Sequence, residues 1–189
     1  MKRLLPFLVF AIVLGAARIL GSHTPETLGN LQPLGALFFC GMALFGLRGI
    51  ILPALVWLIT YPLTSLHQGY GWSAQMIIPL LGFLAMIILA RSFQKASPGK
   101  VFLGSLASAL VFYLVTNTLS WAIDPLYPKS FAGLAQALTV GLPQFATPTW
   151  MFFRNSLISQ SVFSALFIIA TQTMTARVSS KAKLATQST

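Results

Sequence analysis

The sequence predicts an all-α protein: a polytopic integral membrane bundle of about six transmembrane helices, with a short interfacial or re-entrant helix before the last span. Two properties of the 189-residue chain carry this reading: 56% of its residues are hydrophobic and only 7% are charged. A soluble domain carries about 25% charged residues, so this chain lacks the polar side chains to cover a water-facing surface. The third observation is that its apolar residues fall in long runs, which suits a bilayer as solvent. The length fits one transmembrane domain over residues 1–176. The remainder, 177–189, is rich in Ser, Thr, Ala and Lys and reads as a disordered cytoplasmic tail.

Six apolar stretches are candidate spans: Leu4–Leu20, Pro33–Leu47, Gly49–Leu66, Ser73–Ala90, Gly99–Ile123 and Ser156–Thr175. Roughly 15 to 25 apolar residues cross a hydrocarbon core. As one helix, Pro33–Leu66 would be about 50 Å long at 1.5 Å per residue, longer than any such core. The run therefore breaks into a tight hairpin at Gly46–Gly49. The first stretch, headed by Lys2 and Arg3, also resembles a signal peptide. Arg18 and Ile19 interrupt its small-residue end, so it is read as a retained helix. Phe131–Leu142 is too short to span and is read as interfacial or re-entrant. Pro143 and Pro148 are expected to break any helix after it, leaving an aromatic loop with Phe145, Trp150, Phe152 and Phe153 at headgroup level.

Basic residues set the orientation. With the N-terminus inside, Lys2, Arg3, Arg48, Arg91, Lys95, Lys100, Arg177, Lys181 and Lys183 fall on the cytoplasmic side, against Arg18, Lys129 and Arg154 outside. This asymmetry predicts cytoplasmic N- and C-termini. The net charge of +10, with Glu26 and Asp124 the only acids, suits contact with anionic lipid headgroups. The basic residues cap apolar runs rather than lining one face, which argues against nucleic acid.

In this topology the uncharged polar and aromatic residues gather at the outer ends. Asn30 and Gln32 precede the second span, and His67, Tyr70 and Trp72 follow the third. Thr116, Asn117, Ser120, Trp121, Asp124 and Tyr127 close the fifth, with Asn117, Trp121 and Asp124 on one helix face. An aromatic wall with a few convergent polar groups is what a small-molecule pocket requires. The same residues would equally serve interhelical hydrogen bonds and an interfacial belt. Asp124 reads either as an intramembrane proton or cation site or as a turn residue before Pro125.

Cys40 is the single cysteine and reads as a small buried apolar residue. His23 and His67 lack Cys, Asp or Glu at ligand spacing, so no metal or other cofactor is expected. No second carboxylate pairs with Asp124 and no glycine-rich phosphate loop is present, so catalysis is not expected. Ala11-x-x-x-Gly15 and Ala17-x-x-x-Gly21 let another helix approach the first span closely. That helix belongs either to the bundle itself or to a partner membrane subunit docking at Ala11 and Gly15.

Val115-Thr116-Asn117, Trp121, Leu126-Tyr127-Pro128-Lys129 and Ala132-Gly133-Leu134 form a pattern, continued by Leu142-Pro143 and Arg154-Asn155-Ser156-Leu157. Upstream, Asn30 precedes Pro33 and the Ala36-Leu37-Phe38 run. Over roughly Asn30 to Phe167 the chain resembles a family of small, functionally uncharacterised bacterial membrane proteins. That family in turn resembles the substrate-binding S components of energy-coupling factor (ECF) vitamin transporters, in size, six spans and helix layout. The resemblance implies the bacterial cytoplasmic (inner) membrane and an outward pocket taking a small organic micronutrient. It also implies a transmembrane coupling subunit, driven by ATPase subunits, docking on the first helix. Asn30, His67, Thr116, Asn117, Trp121 and Tyr127 are the candidate ligand residues. The alternative is a non-transporting membrane protein that organises protein or lipid partners. The chain departs from the family pattern at Tyr61 and Gln160, where relatives carry acids, and around Thr147–Met151, where it is longer.

Overall fold

The predicted apolar runs fold as helices, and every regular element among the described residues is helical. The computed structural model describes residues 5–24, 28–67, 77–145 and 147–187, with side chains from 12 to 174 within these segments. The helices are α1 (Leu5–His23), α2 (Leu34–Phe45), α3 (Leu47–His67), α4 (Ile77–Arg91), α5 (Pro98–Ile123), α6 (Phe131–Leu138) and α7 (Thr149–Gln187). Among the described residues, three segments are long and apolar enough to cross a membrane: Leu47–His67, Pro98–Ile123 and Thr149–Met174. Ile12–His23, Leu34–Phe45 and Ile77–Arg91 are shorter apolar helices.

Large apolar side chains cover the outside of the bundle, while a set of hydroxyl side chains is buried within its largely apolar interior. On α3, Ile51, Leu55, Leu58, Ile59, Leu63 and Leu66 are exposed, whereas Thr60, Thr64 and Ser65 are buried. Ser105, Ser108 and Ser164 are fully enclosed. Water as solvent would favour the opposite arrangement. Lipid around the helices makes it reasonable, because hydroxyls then bond across or along helices rather than face hydrocarbon.

The α2–α3 hairpin forms where helix length requires it. Gly46 ends α2 in a left-handed conformation (φ 65°), its N–H bonded to the Met42 carbonyl at 3.0 Å. Glycine takes this conformation without a Cβ penalty. Just beyond the turn the two helices touch backbone to backbone: a Cβ on Gly41 would lie 2.5 Å from the Gly49 carbonyl oxygen. The pair thus leaves the turn at a close crossing that only glycine permits.

Helix α2 is the hub. It packs against α3, α4, α5 and α7, and every residue from Ala36 to Ala43 is buried, Cys40 among them. At 12 residues it is about 18 Å long, well short of a span. Before it, residues 29–33 run non-helically against α7. There Asn155 Nδ2 donates to the Gly29 carbonyl at 2.9 Å and Ser159 Oγ to the Gln32 carbonyl at 2.5 Å. Irregular backbone survives at such depth only when protein satisfies its polar groups or it lines a cavity.

Four expectations need correction. Arg18, read as a flanking outer charge, is buried inside α1 at 8% exposure. Trp150, Phe152 and Phe153, read as loop residues, belong to the first turns of α7. Pro148 immediately precedes that helix, and a proline at a helix start removes only an N–H that would be unpaired anyway. The short helix α6 stops at Leu138 rather than Leu142: the Gly141 N–H turns back to the Gln136 carbonyl at 2.8 Å, with Gly141 at φ 75°. Helix α7 itself continues to Gln187, into the segment read from composition as a disordered tail.

The hairpin crossing gives a direct test. Gly41→Ala should cost about 1–3 kcal/mol, the usual penalty of overpacking. Gly99→Ala, whose Cβ would meet nothing within 4 Å, should cost nothing. Denaturant titration of the purified protein in detergent compares the two, and equal stabilities would contradict the close crossing.

Candidate functional site

A cavity of about 320 Å³ opens at the end of the bundle carrying Asn30. Helix α1 contributes Ala17, Arg18, Gly21 and Ser22, and the chain before α2 contributes Leu28, Gly29, Asn30 and Gln32. Across from them stand Trp57, Tyr61, Thr64 and Ser65 of α3, with Pro79 and Phe83 of α4, Phe112 of α5 and Phe152 of α7. The volume lies at the lower end of small-molecule sites.

The wall facing Arg18 is a continuous aromatic array. Trp57 and Tyr61 stack with ring centroids 4.9 Å apart, Trp57 meets Phe83 edge-on at 5.9 Å, and Phe83 meets Phe112 at 4.9 Å. The spacing of Trp57 and Tyr61 by one helical turn places both rings on the interior face of α3.

Arg18 is the cation of this site. Its Nε donates to Thr60 Oγ1 at 2.5 Å and its Nη1 to Gln32 Oε1 at 3.0 Å. Thr60 passes its own proton to the Val56 carbonyl at 2.7 Å. The guanidinium is therefore fixed from both sides, by α3 and by the non-helical segment. Both hydrogen-bond partners are neutral. A charged side chain inside a membrane bundle is costly, about 2.5–3.5 kcal/mol on insertion scales, and usually faces a partner or a watery cavity.

A second, smaller space of about 40 Å³ adjoins the first, sharing Asn30, Gln32, Phe83 and Phe112 and reaching Gly35, Ser159 and Gln160. Gln160 is 3% exposed and reaches Ser108 and Ser164 at 3.4 and 3.5 Å. A Cβ on Gly35 would lie 2.8 Å from its Nε2, so glycine here lets the amide lie against α2. Tyr61 and Gln160, the two positions of departure from the resembled pattern, thus line the two spaces.

The sequence-predicted residues divide. Asn30 lines both spaces. His67 ends α3 and stacks on His23 at the end of α1, centroids 4.0 Å apart and both exposed. Thr116 Oγ1 donates to the Phe112 carbonyl at 2.9 Å, and Asn117 Nδ2 to the Tyr113 carbonyl at 2.8 Å. Both side chains are bonded to their own helix. Trp121 and Tyr127 form a satellite core with Ala137 and Leu142, the Trp121 Nε1 donating to the Pro128 carbonyl at 2.9 Å. Lys129 donates to the carbonyls of Trp121 and Asp124. Asp124 Oδ1 accepts the Leu126 N–H at 2.9 Å, the local bond of a turn residue. Burial, then the neighbouring Asp124, raises the Tyr127 phenol above its ordinary value and keeps it neutral. These residues fasten the 124–142 connection rather than line the cavity.

Gly15 faces α3, where an added Cβ would meet Thr60 Cγ2 at 3.9 Å. The Ala11 side chain, Tyr70 and Trp72 lie outside the described residues. Among the described residues no three His, Cys, Asp or Glu side chains gather as a metal site. Sequence reasoning missed Arg18, Trp57 and Phe83, and it placed Gln32 in the outer polar cluster without making it a candidate ligand. The available signal was the hydroxyl stripe Thr60, Thr64 and Ser65 running along an otherwise apolar helix.

Trp121→Phe removes the bond to Pro128 and should cost about 1 kcal/mol. Proteolysis within 124–142 should quicken accordingly. Unchanged cleavage would contradict a fastening role.

No curated protein and no solved structure matches the chain. The model of a family of unknown function, DUF6580, matches residues 1–183, and the chain belongs to that family.

Proposed function

We propose that the chain is a six-span protein of the bacterial cytoplasmic membrane that captures a small organic micronutrient from the outer side, as an S-component-like subunit for uptake. The observation that carries this reading is the 320 Å³ cavity with its aromatic wall and buried guanidinium. Its binding residues are Asn30, Arg18, Gln32, Trp57, Tyr61 and Phe83, a set that keeps Asn30 alone of the six candidate ligand residues and adds Gln32 from the outer polar cluster. The proposed role is binding rather than catalysis.

The orientation is supported by the exposed basic residues. Arg48, Arg91, Lys95 and Lys100 are exposed around the Gly46 end, and Lys129 and Arg154 at the cavity end. The side with more Lys and Arg is the cytoplasmic one, so the cavity opens outward. The likeness to S components rests on size, span number and helix layout. A coupling subunit would have to dock on the exposed side of α1, formed by Ile12, Val13, Ala16, Ile19 and Leu20, since Gly15 is turned toward α3.

Thermal unfolding with a panel of vitamins and related micronutrients tests the reading. A ligand at 100 times its Kd should stabilise the protein by about 2.7 kcal/mol, and Thr64→Phe, which fills the cavity, should abolish the shift. Reporters fused to each terminus should both read as cytoplasmic. Copurification with a coupling subunit and ATPase subunits is expected; an unrelated scaffold or enzyme copurifying instead would favour the organising role.

A further inference from the structure

Resting on the cavity reading above, we propose that the ligand is an organic acid with a planar apolar body, whose oxyanion pairs with Arg18 while its body lies along the Trp57–Phe83 wall.

The charge distribution leads there first. Among the described residues Arg18 is the one charged side chain lining the cavity, and its hydrogen bonds run to neutral Thr60 and Gln32. The whole chain has two acids. Asp124 is committed to its own turn, and Glu26 lies outside the described residues. A buried cation held by neutral donor-acceptor groups leaves an unmet demand for negative charge, which a bound anion supplies.

The geometry of the guanidinium agrees. Its Nε and Nη1 are used inside the bundle, whereas Nη2 makes no hydrogen bond to a described residue. No buried side-chain nitrogen lacks a partner among the described residues, so Nη2 keeps surface accessible from the cavity that Arg18 lines. Arginine presents its remaining N–H groups in a rigid fork suited to carboxylate or phosphate. The N-terminal turn of α2 adds to the field. It has no side-chain cap, and Gly35 and Gln32 line the adjoining space; helix N-termini favour negative charge. Asn30 and Gln32 supply amides beside the fork, and the aromatic rings opposite suit a flat apolar body.

The volume limits the size. At ~30 Å³ per water, 320 Å³ holds about ten waters, which fits one small ring with a short acid arm. An oxyanion could also come from a lipid headgroup, and the experiment separates the two sources.

The full-length protein is reconstituted in phosphatidylcholine nanodiscs and titrated with benzoate, cinnamate and indole-3-acetate, each beside its neutral amide, and with inorganic phosphate. At least one acid should bind at least tenfold more tightly than its amide. Arg18→Gln should erase that difference, and Arg18→Lys should keep part of it. The acid–amide comparison needs only the unmutated protein, so it decides the matter even if Arg18→Gln fails to fold. Equal binding of acid and amide, or an Arg18→Gln variant with undiminished preference, overturns the proposal. If neutral compounds alone bind and Thr64→Phe blocks them, the cavity reading stands and the anion proposal falls. Arg18-dependent stabilisation by phosphatidylglycerol discs, with no soluble acid binding, assigns the site to a lipid headgroup and also overturns it. If neither these compounds nor the micronutrient panel bind, both readings fall.

Discussion

The bundle depends on how five residues of non-helical chain, 29–33, keep their backbone polar groups bonded inside an apolar assembly. Unpaired carbonyls in hydrocarbon cost several kcal/mol each. Asn155 and Ser159 of α7 supply donors to the carbonyls of Gly29 and Gln32, and Arg18 of α1 supplies one to the Gln32 side chain. Because this segment carries the chain inward, α2 starts deep, stays short and lies at the centre of the packing. The backbone that could not be helical became a cavity wall.

Arg18 links the two halves of that arrangement. Its bonds to Thr60 and Gln32 join α1 to α3 and to the inward segment. Replacing one buried partner of such a group leaves the other without its bond, which costs more than the bond contributes. The same guanidinium that organises the wall therefore also creates the positive field inside the cavity. One side chain thus both ties the wall together and sets the charge beside it.

The helices were legible in the sequence because lipid imposes a simple rule: each span needs a run of apolar residues, and charge marks its ends. The hairpin at Gly46 followed from length alone. The site was less legible, for a physical reason. Amides and aromatics near helix ends suit a ligand, but they suit caps, turns and interfacial belts just as well. Asn117, Trp121 and Tyr127 are used in the second way, fastening their own helix and the 124–142 connection. Arg18 was misread because an arginine near the end of an apolar run looks like a topogenic charge; only the packing of α3 against α1 reveals its burial. The start of α7 was missed because Pro148 reads as a breaker, whereas it stands at the position where a helix tolerates proline.

The cavity wall formed by α1 differs in kind from the others. Helix α2 is enclosed by four neighbours, whereas α1 packs principally on α3 and leaves Ile12, Val13, Ile19 and Leu20 uncovered. Its described side chains attach at Leu14, in the core with Trp57 and Phe83, at Gly15 against Thr60, and through the Arg18 bonds. A shift of α1 along α3 would break the Arg18–Thr60 bond before it disturbed α2. The fold thus couples the position of its least embedded helix to the charge inside the cavity, through a side chain that cannot satisfy Thr60 and Gln32 from any other register.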